Sequence, residues 1–579
     1  MCGILAVLGL AAKRDRAKIR DELAKRMSHR GPDFSGCFEG EWAILCHERL
    51  IIVDLTCVQP IAGSRPGVQV IHNGEIWNHE KLRQGELAEY PYRTTCDSEA
   101  IVHLYEKHGE DFCNILDGVF SFALVDVDKD FFMAARDPIG VKPLYYGFSS
   151  ADQSWYFASE IKAIIDQCDE QLAAFPPGHY WTKEKGFVRY YEPIWRDVDQ
   201  CNVELDLARL RNSLTDAVEK RLMSDVPLGV LLSGGLDSSL TSSIACRLIA
   251  AKGLQPLMSF AIGLDKDAPD LKAARRVAEF LGTDHHEVHF TVEEGLALID
   301  TLVYHLETYD VTTVRASTPM YILSDYIKKK GVSAVLSGEG ADEIFGGYLY
   351  FHNAPSEDDF QKETIDRVLR LSTADCLRAD KSCMAHAIEV RVPFLDRHFL
   401  DVAMTIQGKY KRPQNNEMGI EKYILRKAFD DKLQPYLPDE ILWRQKEQFS
   451  DGVGYNWIDQ LSAHCAAQVT DRQLEEAPQR FPHSPPTTKE GYYIRQLFEK
   501  HFPGEQVERT VLRWVPKWQL SKDPSGRASK VHVKTVVEGA AEDGDNDDSG
   551  FGEPKQKPTP LEEEKEKAVN GFYVPQPAS

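Results

Sequence analysis

One segment, LLSGGLDSS at positions 231–239, limits what this chain can fold into more than any other stretch. The apolar run before it, residues 226–230, is typical of a short buried strand, and residues 240–246 are typical of a helix packed on a sheet. At such a junction the free N–H groups of the first helical turn and the helix dipole favour a bound anion. The two glycines let the backbone approach a phosphate closely. The segment therefore predicts a phosphate site at a strand end.

This phosphate loop differs from the two commonest nucleotide motifs. It is not a Walker loop, because no Gly-Lys-Ser/Thr follows, and it is not a GxGxxG fingerprint. It resembles the pyrophosphate-binding loop of enzymes that cleave ATP between its α and β phosphates. A Ser/Gly-rich turn without a ligand is the alternative, and Asp237-Ser238-Ser239 argues against it. The residues of this loop that we assign to ATP are Leu231, Ser233, Gly234, Gly235, Asp237, Ser238 and Ser239.

Length, charge and cysteine usage exclude several classes of protein. The 579 residues are enough for more than one domain, and the net charge of −22 disfavours non-specific binding to nucleic acid or anionic lipid. The 12 cysteines are scattered without a CxxC pair, so we expect reduced thiols in a cytoplasmic protein and no disulfide framework. The sequence shows neither a membrane-length apolar run nor a signal peptide. We expect no nucleic-acid or membrane partner.

The N-terminus holds a candidate nucleophile. Cys2 directly precedes residues 3–10, an apolar run that predicts a short buried strand. If Met1 is removed, Cys2 gains a free α-amine with a pKa of about 7.7–8.0, which can act as the base for its own thiol. A buried cysteine without a catalytic role is the alternative.

Further motifs follow Cys2 along the chain. The turn HRGPD at 29–33 comes after a helix-like stretch at 17–27, and Arg49 leads into an apolar run at 50–53 that predicts a strand. The segments VIHNGEIWN at 70–78 and TTCDSE at 94–99 complete the set. Together they resemble the class II glutamine amidotransferases, in which the leading cysteine attacks the side-chain amide of glutamine. The residues that this resemblance assigns to glutamine are Arg49, Leu50, Ile51, Ile52, Val53, Asn73, Gly74, Glu75 and Asp97.

Each of these roles has a physical reason. Arg49 can bind the α-carboxylate of glutamine through two hydrogen bonds, and Glu75 and Asp97 can pair with its α-ammonium group. The Asn73 amide and the Gly74 N–H can donate to the oxyanion of the tetrahedral intermediate. Structural alternatives remain open for two of these segments. Asn73-Gly74 is also typical of a hairpin turn, and the sequence at 97–99 is also typical of a helix N-cap.

A second glycine-rich turn follows a later strand. Strands predicted at 257–263, 287–292 and 332–336 alternate with helices at 206–223, 270–281 and 320–330, which indicates a parallel sheet. The last strand ends in SGEGADEIFGG at 337–347, and ligands of such sheets bind at the carboxyl ends of strands. Asp237 and Asp342 are therefore candidate ligands for Mg²⁺, which prefers carboxylate and phosphate oxygens. For Asp342 a solvated helix start is a serious alternative.

Two later segments add to the candidate site. Residues 389–396 predict a structural loop near it, and residues 444–454 form a polar, glycine-marked stretch. Lys446 in that stretch could neutralise charge on the reacting phosphorus and on leaving pyrophosphate. An exposed surface loop is the alternative.

With these motifs the chain resembles the glutamine-hydrolysing asparagine synthetase family, from Met1 to about residue 503 and again at 524–528. The resemblance implies an α/β multidomain fold: an N-terminal αββα N-terminal-nucleophile glutaminase domain and a C-terminal α/β parallel-sheet ATP-pyrophosphatase domain. We expect the first domain at 2–185, a linker at 186–205, the second domain at 206–530, and a disordered acidic tail at 531–579. The family's ATP loops correspond to residues 231–239, Ile262, Ser337 and Gly338. Glu339 corresponds to the glutamate tied to adenylate formation, and Lys446 to a catalytic lysine.

The expected activity is ATP-dependent synthesis of asparagine from aspartate, with ammonia from glutamine and a β-aspartyl-AMP intermediate. The catalytic residues would be Cys2, Asn73, Gly74, Glu339 and Lys446, with Mg²⁺ as cofactor and ATP as co-substrate. We expect a homodimer. Two alternatives stay open: a synthetase with the same two domains and another acceptor, and a non-catalytic ATP or glutamine sensor.

Overall fold

The computed structural model describes residues 2–446, 452–454 and 456–518. All described residues belong to one compact unit, Met1–Gly526. The expected tail at 531–579 and the expected domain end at 530 lie outside the described residues. No helix in the described part of the chain is long and apolar enough to cross a membrane.

The first part of the chain, residues 2–189, is called the sandwich region. Its strands are β1 Cys2–Leu8, β2 Phe34–Glu39, β3 Ala43–Arg49, β4 Ile61–Ala62, β5 Val68–Ile76, β6 Gly118–Asp126, β7 Phe131–Arg136, β8 Tyr145–Ser149, β9 Ser154–Ala158, β10 Glu170–Ala174, β11 His179–Thr182 and β12 Gly186–Arg189. They form two antiparallel sheets, in the orders β10-β8-β9-β1-β3-β2 and β12-β11-β7-β6-β5-β4. The helices of this region are α1 Leu10–Arg14, α2 Arg16–Lys18, α3 His79–Gln84 and α4 Glu99–His108, with a π-helical turn at Ile19–Leu23 and a 3₁₀ turn at Ala24–Met27.

The two sheets pack face to face, and helices cover their outer faces. Alternate residues of β1, such as Ile4 and Ala6, meet Ile71 of the other sheet in one apolar cluster. The residues between them, such as Leu5, pack with Ile19 on the helical side. Because both faces of β1 are covered, all seven of its residues are buried. This arrangement confirms the expected αββα sandwich.

The later part, residues 207–514, is called the parallel-sheet region. Its strands are β13 Leu228–Leu231, β14 Met258–Gly263, β15 Asp284–His289, β16 Ala334–Leu336 and β17 Glu389–Arg391, in the order β15-β14-β13-β16-β17. All four neighbouring pairs are parallel. The chain runs outward in opposite directions from β13, which makes the end of β13 a topological switch point, where such sheets bind ligands.

The rest of the parallel-sheet region consists mainly of helices. They are α5 Leu207–Lys220, α6 Leu236–Ala251, α7 Pro269–Leu281, α8 Val292–Ala297, α9 Ile299–Leu306, α10 Val311–Lys329, α11 Ala341–Phe345, α12 Glu357–Arg370, α13 Asp375–Met384, α14 Arg397–Thr405, α15 Gly408–Lys411, α16 Tyr423–Ala428, α17 Asp439–Leu442, α18 Asn456–Gln468, α19 Asp471–Glu475, α20 Ala477–Arg480, α21 Lys489–His501 and α22 Glu505–Glu508.

Four local predictions were wrong. The strand predicted at 287–292 lies earlier, as β15 Asp284–His289, because Thr291 caps a helix that begins at Val292. The apolar run at 50–53 is a loop after β3, because its alternate residues Leu50 and Ile52 are buried against Ala334 and Met384 of the parallel-sheet region. Helix α10 starts earlier than predicted, because Asp310 caps it by accepting from Thr313 N. The predicted loop at 389–396 begins with β17, the last strand of the sheet.

Candidate functional site

Cys2 lies at the end of β1, directly opposite Arg49 of β3, and is 5% exposed. Its backbone N–H donates to Asn73 Oδ1 at 2.8 Å, and its Sγ lies 4.0 Å from the carbonyl oxygen of Leu50. Arg30 Nε donates to the Cys2 carbonyl oxygen at 3.0 Å. Burial raises the pKa of the Cys2 thiol. A nucleophilic role for this sulfur therefore needs a base close by.

Asn73 and Gly74 lie within β5, in the middle of a sheet. The hairpin-turn alternative for Asn-Gly is therefore wrong. Asn73 Nδ2 lies 3.4 Å from Ser121 Oγ, while its Oδ1 holds the Cys2 backbone. Gly74 has φ of +148°, and a Cβ there would lie 2.0 Å from the carbonyl oxygen of Val119, so only glycine fits. Asn73 therefore contacts Cys2 directly, and Gly74 is the next residue of the same strand.

The carboxylates predicted for the glutamine ammonium group are buried near Cys2. Asp97 Oδ2 accepts from the Ile76 backbone N–H at 2.8 Å. Glu75 lies 3.7 Å from Arg391 of β17, and its Oε2 has no hydrogen-bond partner among the described residues. Burial, together with Glu389 and Asp97, raises the pKa of Glu75 well above its usual value. The unpartnered Oε2 of Glu75 is therefore an acceptor that suits a cationic ligand.

Arg49 is buried and donates through Nη2 to the carbonyl oxygen of Asp54. The Asp54 carboxylate in turn accepts from the backbone N–H groups of Cys57, at 2.9 Å, and Thr95, at 2.8 Å. Asp54 N donates to Asp225 Oδ2 at 2.8 Å. Asp54 therefore fixes the loop that carries Arg49 to the segment before Asp97 and to the start of the parallel-sheet region.

Residues 50–53 form the remaining part of the predicted glutamine set. Ile51 N donates to Asp33 Oδ2 at 2.8 Å, and the Ile52 carbonyl accepts from Asp225 N at 3.0 Å. Val53 packs against the cluster that contains Leu50. The loop passes beside Cys2 through Leu50.

The phosphate loop has the predicted strand–turn–helix geometry, with β13 ending at Leu231 and α6 starting at Leu236. Ser233 Oγ and Ser238 Oγ are 3.0 Å apart across the turn. Gly234 has φ of +76°, and a Cβ there would lie 2.4 Å from Ala274 N. A Cβ on Gly338 would lie 2.6 Å from Ser238 N, so the turn after β16 contacts the turn after β13. The two predicted loops therefore form one site.

A cavity of about 150 Å³ opens between these loops. It is lined by most of the predicted ATP residues and also by residues that sequence reasoning did not select, among them Thr312, Thr313, Arg378 and Trp514. A smaller cavity of about 60 Å³ adjoins it and adds Lys422, Arg426 and Arg444. The predicted residues that line one or both cavities are Leu231, Ser233, Gly235, Asp237, Ser238, Ile262, Ser337, Gly338, Glu339, Asp342 and Lys446. Gly234 and Ser239 line neither cavity.

Two lysines neutralise the predicted metal ligands. Lys422 Nζ lies 2.5 Å from Asp237 Oδ2 and 2.6 Å from Asp342 Oδ1, and Lys446 Nζ lies 2.8 Å from Asp342 Oδ2. Burial alone would raise the pKa of Asp342, but the two lysines lower it to about 2. Asp342 is therefore ionised and paired. The alternative that it is only a solvated residue at the start of a helix is wrong.

The residues present fit a magnesium ion bound together with phosphate oxygens. Asp237 Oδ1 is buried and has no hydrogen-bond partner among the described residues, which leaves a carboxylate oxygen for a ligand. No group of three or more His, Cys, Asp or Glu side chains forms a metal cluster in the described part of the chain. A cation held here would need further ligands from phosphate or water.

Glu339 lies at the cavity wall beside Arg378 of α13. Arg378 Nη2 is 2.6 Å from Glu339 Oε2 and 2.8 Å from Asp375 Oδ1. Burial raises the pKa of Glu339, and Arg378 partly opposes that effect.

A buried ionic network connects α13 to the Cys2 site. Arg30, whose Nε holds the Cys2 carbonyl, contacts Asp380 of α13 through Nη2 at 2.8 Å and Glu160 through Nη1 at 3.0 Å. The next residue of α13, Lys381, has its Nζ 2.5 Å from Glu307, whose other oxygen lies 3.1 Å from Lys162. Helix α13 therefore contacts the Cys2 site through Asp380 and the cavity through Arg378.

Four charged residues are among those that sequence reasoning missed. Arg30 belongs to the HRGPD motif, which was noted only as a turn, and its motif could have identified it. Asp54 directly follows the apolar run at 50–53. Acidic residues are common after a strand, so this position did not mark Asp54 as functional. Arg378 and Lys422 carry no local signal, because a lone arginine or lysine is usually exposed.

Two family models match the chain. The asparagine synthase model matches residues 209–359 and 353–522, and the glutamine amidotransferase domain model matches residues 1–199. Among curated relatives, a glutamine-hydrolysing asparagine synthetase of Asparagus officinalis is 49% identical and covers 91% of this chain and 92% of its own length. A probable glutamine-hydrolysing asparagine synthetase of Dictyostelium discoideum is 50% identical and covers 93% of this chain and 100% of its own length. The glutamine-hydrolysing asparagine synthetase 3 of Arabidopsis thaliana is 50% identical and covers 94% of this chain and 97% of its own length.

Proposed function

The chain belongs to the glutamine-hydrolysing asparagine synthetase family, and from this premise we propose how its residues divide the reaction. The family's activity is ATP-dependent synthesis of asparagine from aspartate with glutamine as nitrogen donor, so the protein is a carbon–nitrogen ligase. The sandwich region is the glutaminase, and the parallel-sheet region is the synthetase. The sequence predicted domains at 2–185 and 206–530 with a linker at 186–205; because β12 Gly186–Arg189 pairs with β11, we propose that the first domain extends to residue 189.

In the glutaminase, the Cys2 thiolate attacks the side-chain amide carbon of glutamine. The α-amine of Cys2, freed by removal of Met1, accepts the thiol proton, and ammonia leaves. The Asn73 amide and the Gly74 N–H stabilise the oxyanion. Water then hydrolyses the γ-glutamyl thioester to glutamate. The support for this assignment is the position of Cys2, with its backbone N–H 2.8 Å from Asn73 Oδ1.

Glutamine is held at both charged ends of its backbone. Arg49 binds the α-carboxylate, and Glu75 with Asp97 binds the α-ammonium group. The unpartnered Oε2 of Glu75 supports this, since a buried carboxylate oxygen without a donor is stable only if a ligand supplies one. The loop at 50–53 closes the pocket.

In the synthetase, the β-carboxylate of aspartate attacks the α-phosphorus of ATP, giving β-aspartyl-AMP and pyrophosphate. Residues 231–239 hold the phosphates, and Ile262, Ser337 and Gly338 contact the rest of the nucleotide. Lys446 neutralises charge that develops on phosphate oxygens, and Glu339 acts where the adenylate forms. Ammonia then attacks the adenylate, releasing asparagine and AMP. The observation that carries this proposal is the single cavity that places Ser233, Glu339 and Lys446 together.

We further propose Mg²⁺ as the cofactor, held by Asp237 and Asp342, where it would neutralise phosphate charge. For this the carboxylates must exchange their lysine partners for the cation. We also propose a homodimer, a cytoplasmic location, and an enclosed path for ammonia between the two sites. Bulk water would protonate ammonia and remove its nucleophilic lone pair.

A product assay tests this assignment. The full chain is incubated with ATP, Mg²⁺, glutamine and, one at a time, aspartate and other carboxylic acids, and nucleotide and amino-acid products are quantified. We expect asparagine, glutamate and AMP with aspartate. ADP in place of AMP would refute the cleavage between the α and β phosphates. Product with another acid but not with aspartate would assign a different acceptor. Omission of Mg²⁺ should stop synthesis and leave glutamine hydrolysis intact.

A further inference from the structure

Two cysteines face each other on neighbouring strands of the sandwich region, away from the residues assigned to catalysis. Cys37 of β2 is paired in register with Cys46 of β3, and their sulfur atoms are 2.9 Å apart. Directly opposed residues of an antiparallel pair have Cα atoms about 4.5–5.5 Å apart. Disulfides need Cα separations of about 4.4–6.8 Å. The backbone therefore already has the spacing that a disulfide needs.

The two sulfur atoms differ in access to solvent. Cys37 is half-buried on β2, whereas Cys46 is 2% exposed. Strand β2 is the last strand of its sheet in the described part of the chain, so its outer edge has no neighbour there. A small oxidant in solution can therefore reach Cys37 but not Cys46. This asymmetry defines an order of reaction, with Cys37 attacked first and Cys46 completing the bond.

We propose that Cys37 and Cys46 form a redox modification site that a low-molecular-weight disulfide converts reversibly from a dithiol to a disulfide. The Cys37 thiolate attacks one sulfur of the oxidant RS–SR, forming a mixed disulfide and releasing one thiolate. The Cys46 sulfur then attacks the Cys37 sulfur, and the Cys46 proton passes to the second leaving thiolate, which departs as RSH. The net change is oxidation of two protein thiols and reduction of RS–SR to two molecules of RSH.

The expected consequence is a tether on an edge strand. Strand β2 pairs only with β3 in this structure, and its residue Phe34 is 44% exposed. A bond from Cys37 to Cys46 links β2 covalently to β3, whose seven residues are all buried. Local opening of the edge strand then requires movement of a core strand.

A second cysteine pair in the same region serves as an internal comparison. Cys57 and Cys96 lie in one apolar cluster, and the Cys57 thiol is the main cause that raises the pKa of Cys96. Cys57 is 2% exposed and Cys96 is 5% exposed. With no accessible sulfur to begin the exchange, this pair should stay reduced under conditions that oxidise Cys37 and Cys46.

The test is thiol–disulfide exchange on the full native chain. The protein is incubated with oxidised glutathione, free thiols are alkylated under denaturing conditions, and peptides are mapped by mass spectrometry without reduction. We expect a peptide pair linked through Cys37 and Cys46 that a dithiol reductant separates. The Cys57 and Cys96 peptides should be alkylated. Because each cysteine is read separately, reaction at Cys2 does not confuse the result.

Two variants identify the order of attack. Cys46→Ala should trap glutathione on Cys37, since the resolving sulfur is missing. Cys37→Ser should leave Cys46 as a free thiol. In the wild-type chain, persistence of glutathione on Cys37 at the level seen in Cys46→Ala would overturn the proposal. So would a failure of Cys37 to react at all.

Hydrogen exchange gives an independent readout. Amides of Phe34–Glu39 should exchange at least about tenfold more slowly in the disulfide form, because the bond restricts opening of the strand. The same amides in oxidant-treated Cys37→Ser should exchange as in the untreated protein. Equal exchange in the disulfide and dithiol forms would contradict the tether.

Discussion

The two sites of this chain hold their acidic groups in opposite states. In the sandwich region, Glu75 is buried with an unpartnered oxygen, and its pKa is raised. In the parallel-sheet region, Asp342 is half-buried, and two lysines contact it and lower its pKa to about 2. The two groups differ in how close their cations lie: Arg391 is 3.7 Å from Glu75, whereas the lysines are 2.6 and 2.8 Å from Asp342.

This difference indicates how each site accepts its ligand. In our proposal the ammonium group of glutamine pairs with Glu75 Oε2, which has no hydrogen-bond partner among the described residues. The carboxylates of the predicted ATP site are already paired with lysines, so in our proposal a bound Mg²⁺ would displace the lysines, which would then face phosphate. The first site is completed by its ligand, and the second exchanges partners.

Removal of the nucleophile separates the two sites most strongly. Cys2→Ala should lower glutamine-dependent asparagine synthesis by about 10³-fold or more, because no other group forms the thioester. Synthesis from added ammonia should continue at a rate close to that of the wild type. Cys168→Ser, a half-buried cysteine outside the site, is the control and should leave both rates unchanged. Asparagine formed from glutamine at the normal rate by Cys2→Ala would disprove the assignment.

Removal of a lysine from the second site should have the reverse effect. Lys446→Ala should lower asparagine synthesis from either nitrogen source by about 10²-fold, since charge on the reacting phosphate loses a partner. Glutamine hydrolysis should be unaffected. The control Lys432→Ala removes a lysine that is 62% exposed and pairs with Asp439 at the surface. Equal losses of hydrolysis and synthesis in Lys446→Ala would show that the sites do not divide the chemistry in this way.

A conservative change at Arg49 tests the anionic end of glutamine. Arg49→Lys keeps the charge but loses the planar pair of donors, so the KM for glutamine should rise about tenfold or more. Synthesis from ammonia should not change. Arg189→Lys, at an exposed ion pair with Glu192, is the matched control. An unchanged KM in steady-state assays would exclude Arg49 from substrate binding.

The opposite pKa shifts predict different pH dependence at the two sites. Glu75 binds a proton as the pH falls through its raised pKa, and the neutral acid cannot pair with ammonium. The KM for glutamine should therefore rise several-fold as the pH is lowered through the range of that raised pKa. Asp342, with a pKa of about 2, stays ionised over that range and adds no such change to the KM for the magnesium–ATP complex. In Glu75→Gln the KM for glutamine should be high and nearly independent of pH; a wild-type slope in this variant would assign the titration to another group.

The sequence was most informative where chemistry depends on adjacent residues. The loop at 231–239 and the turn at 337–342 were predicted as one site, because parallel strands present their carboxyl ends at the same edge. The apolar run at 50–53 was wrongly predicted to be a strand. A loop that packs on a second region can bury alternate residues in the same way as a strand does. Leu50 and Ile52 are buried there by contact with the parallel-sheet region, not by strand pairing.

Residues that act through tertiary contacts could not be predicted in this way. Lys422 reaches Asp237 and Asp342 from a position with φ of +57°, far from both in sequence. Arg378 and Asp380 connect the two sites because they share α13, and no local pattern marks a helix as shared. Their charges were visible in the sequence, but their partners were not.

The central claim is that ammonia released at Cys2 is used at the ATP site without mixing with the solvent. Its most direct test is synthesis with glutamine labelled with ¹⁵N in the side-chain amide, in the presence of unlabelled ammonium chloride, with label measured in asparagine and in free ammonium at the same times. We predict that asparagine carries a larger share of label than the free ammonium does. Equal shares in the two pools would contradict the claim.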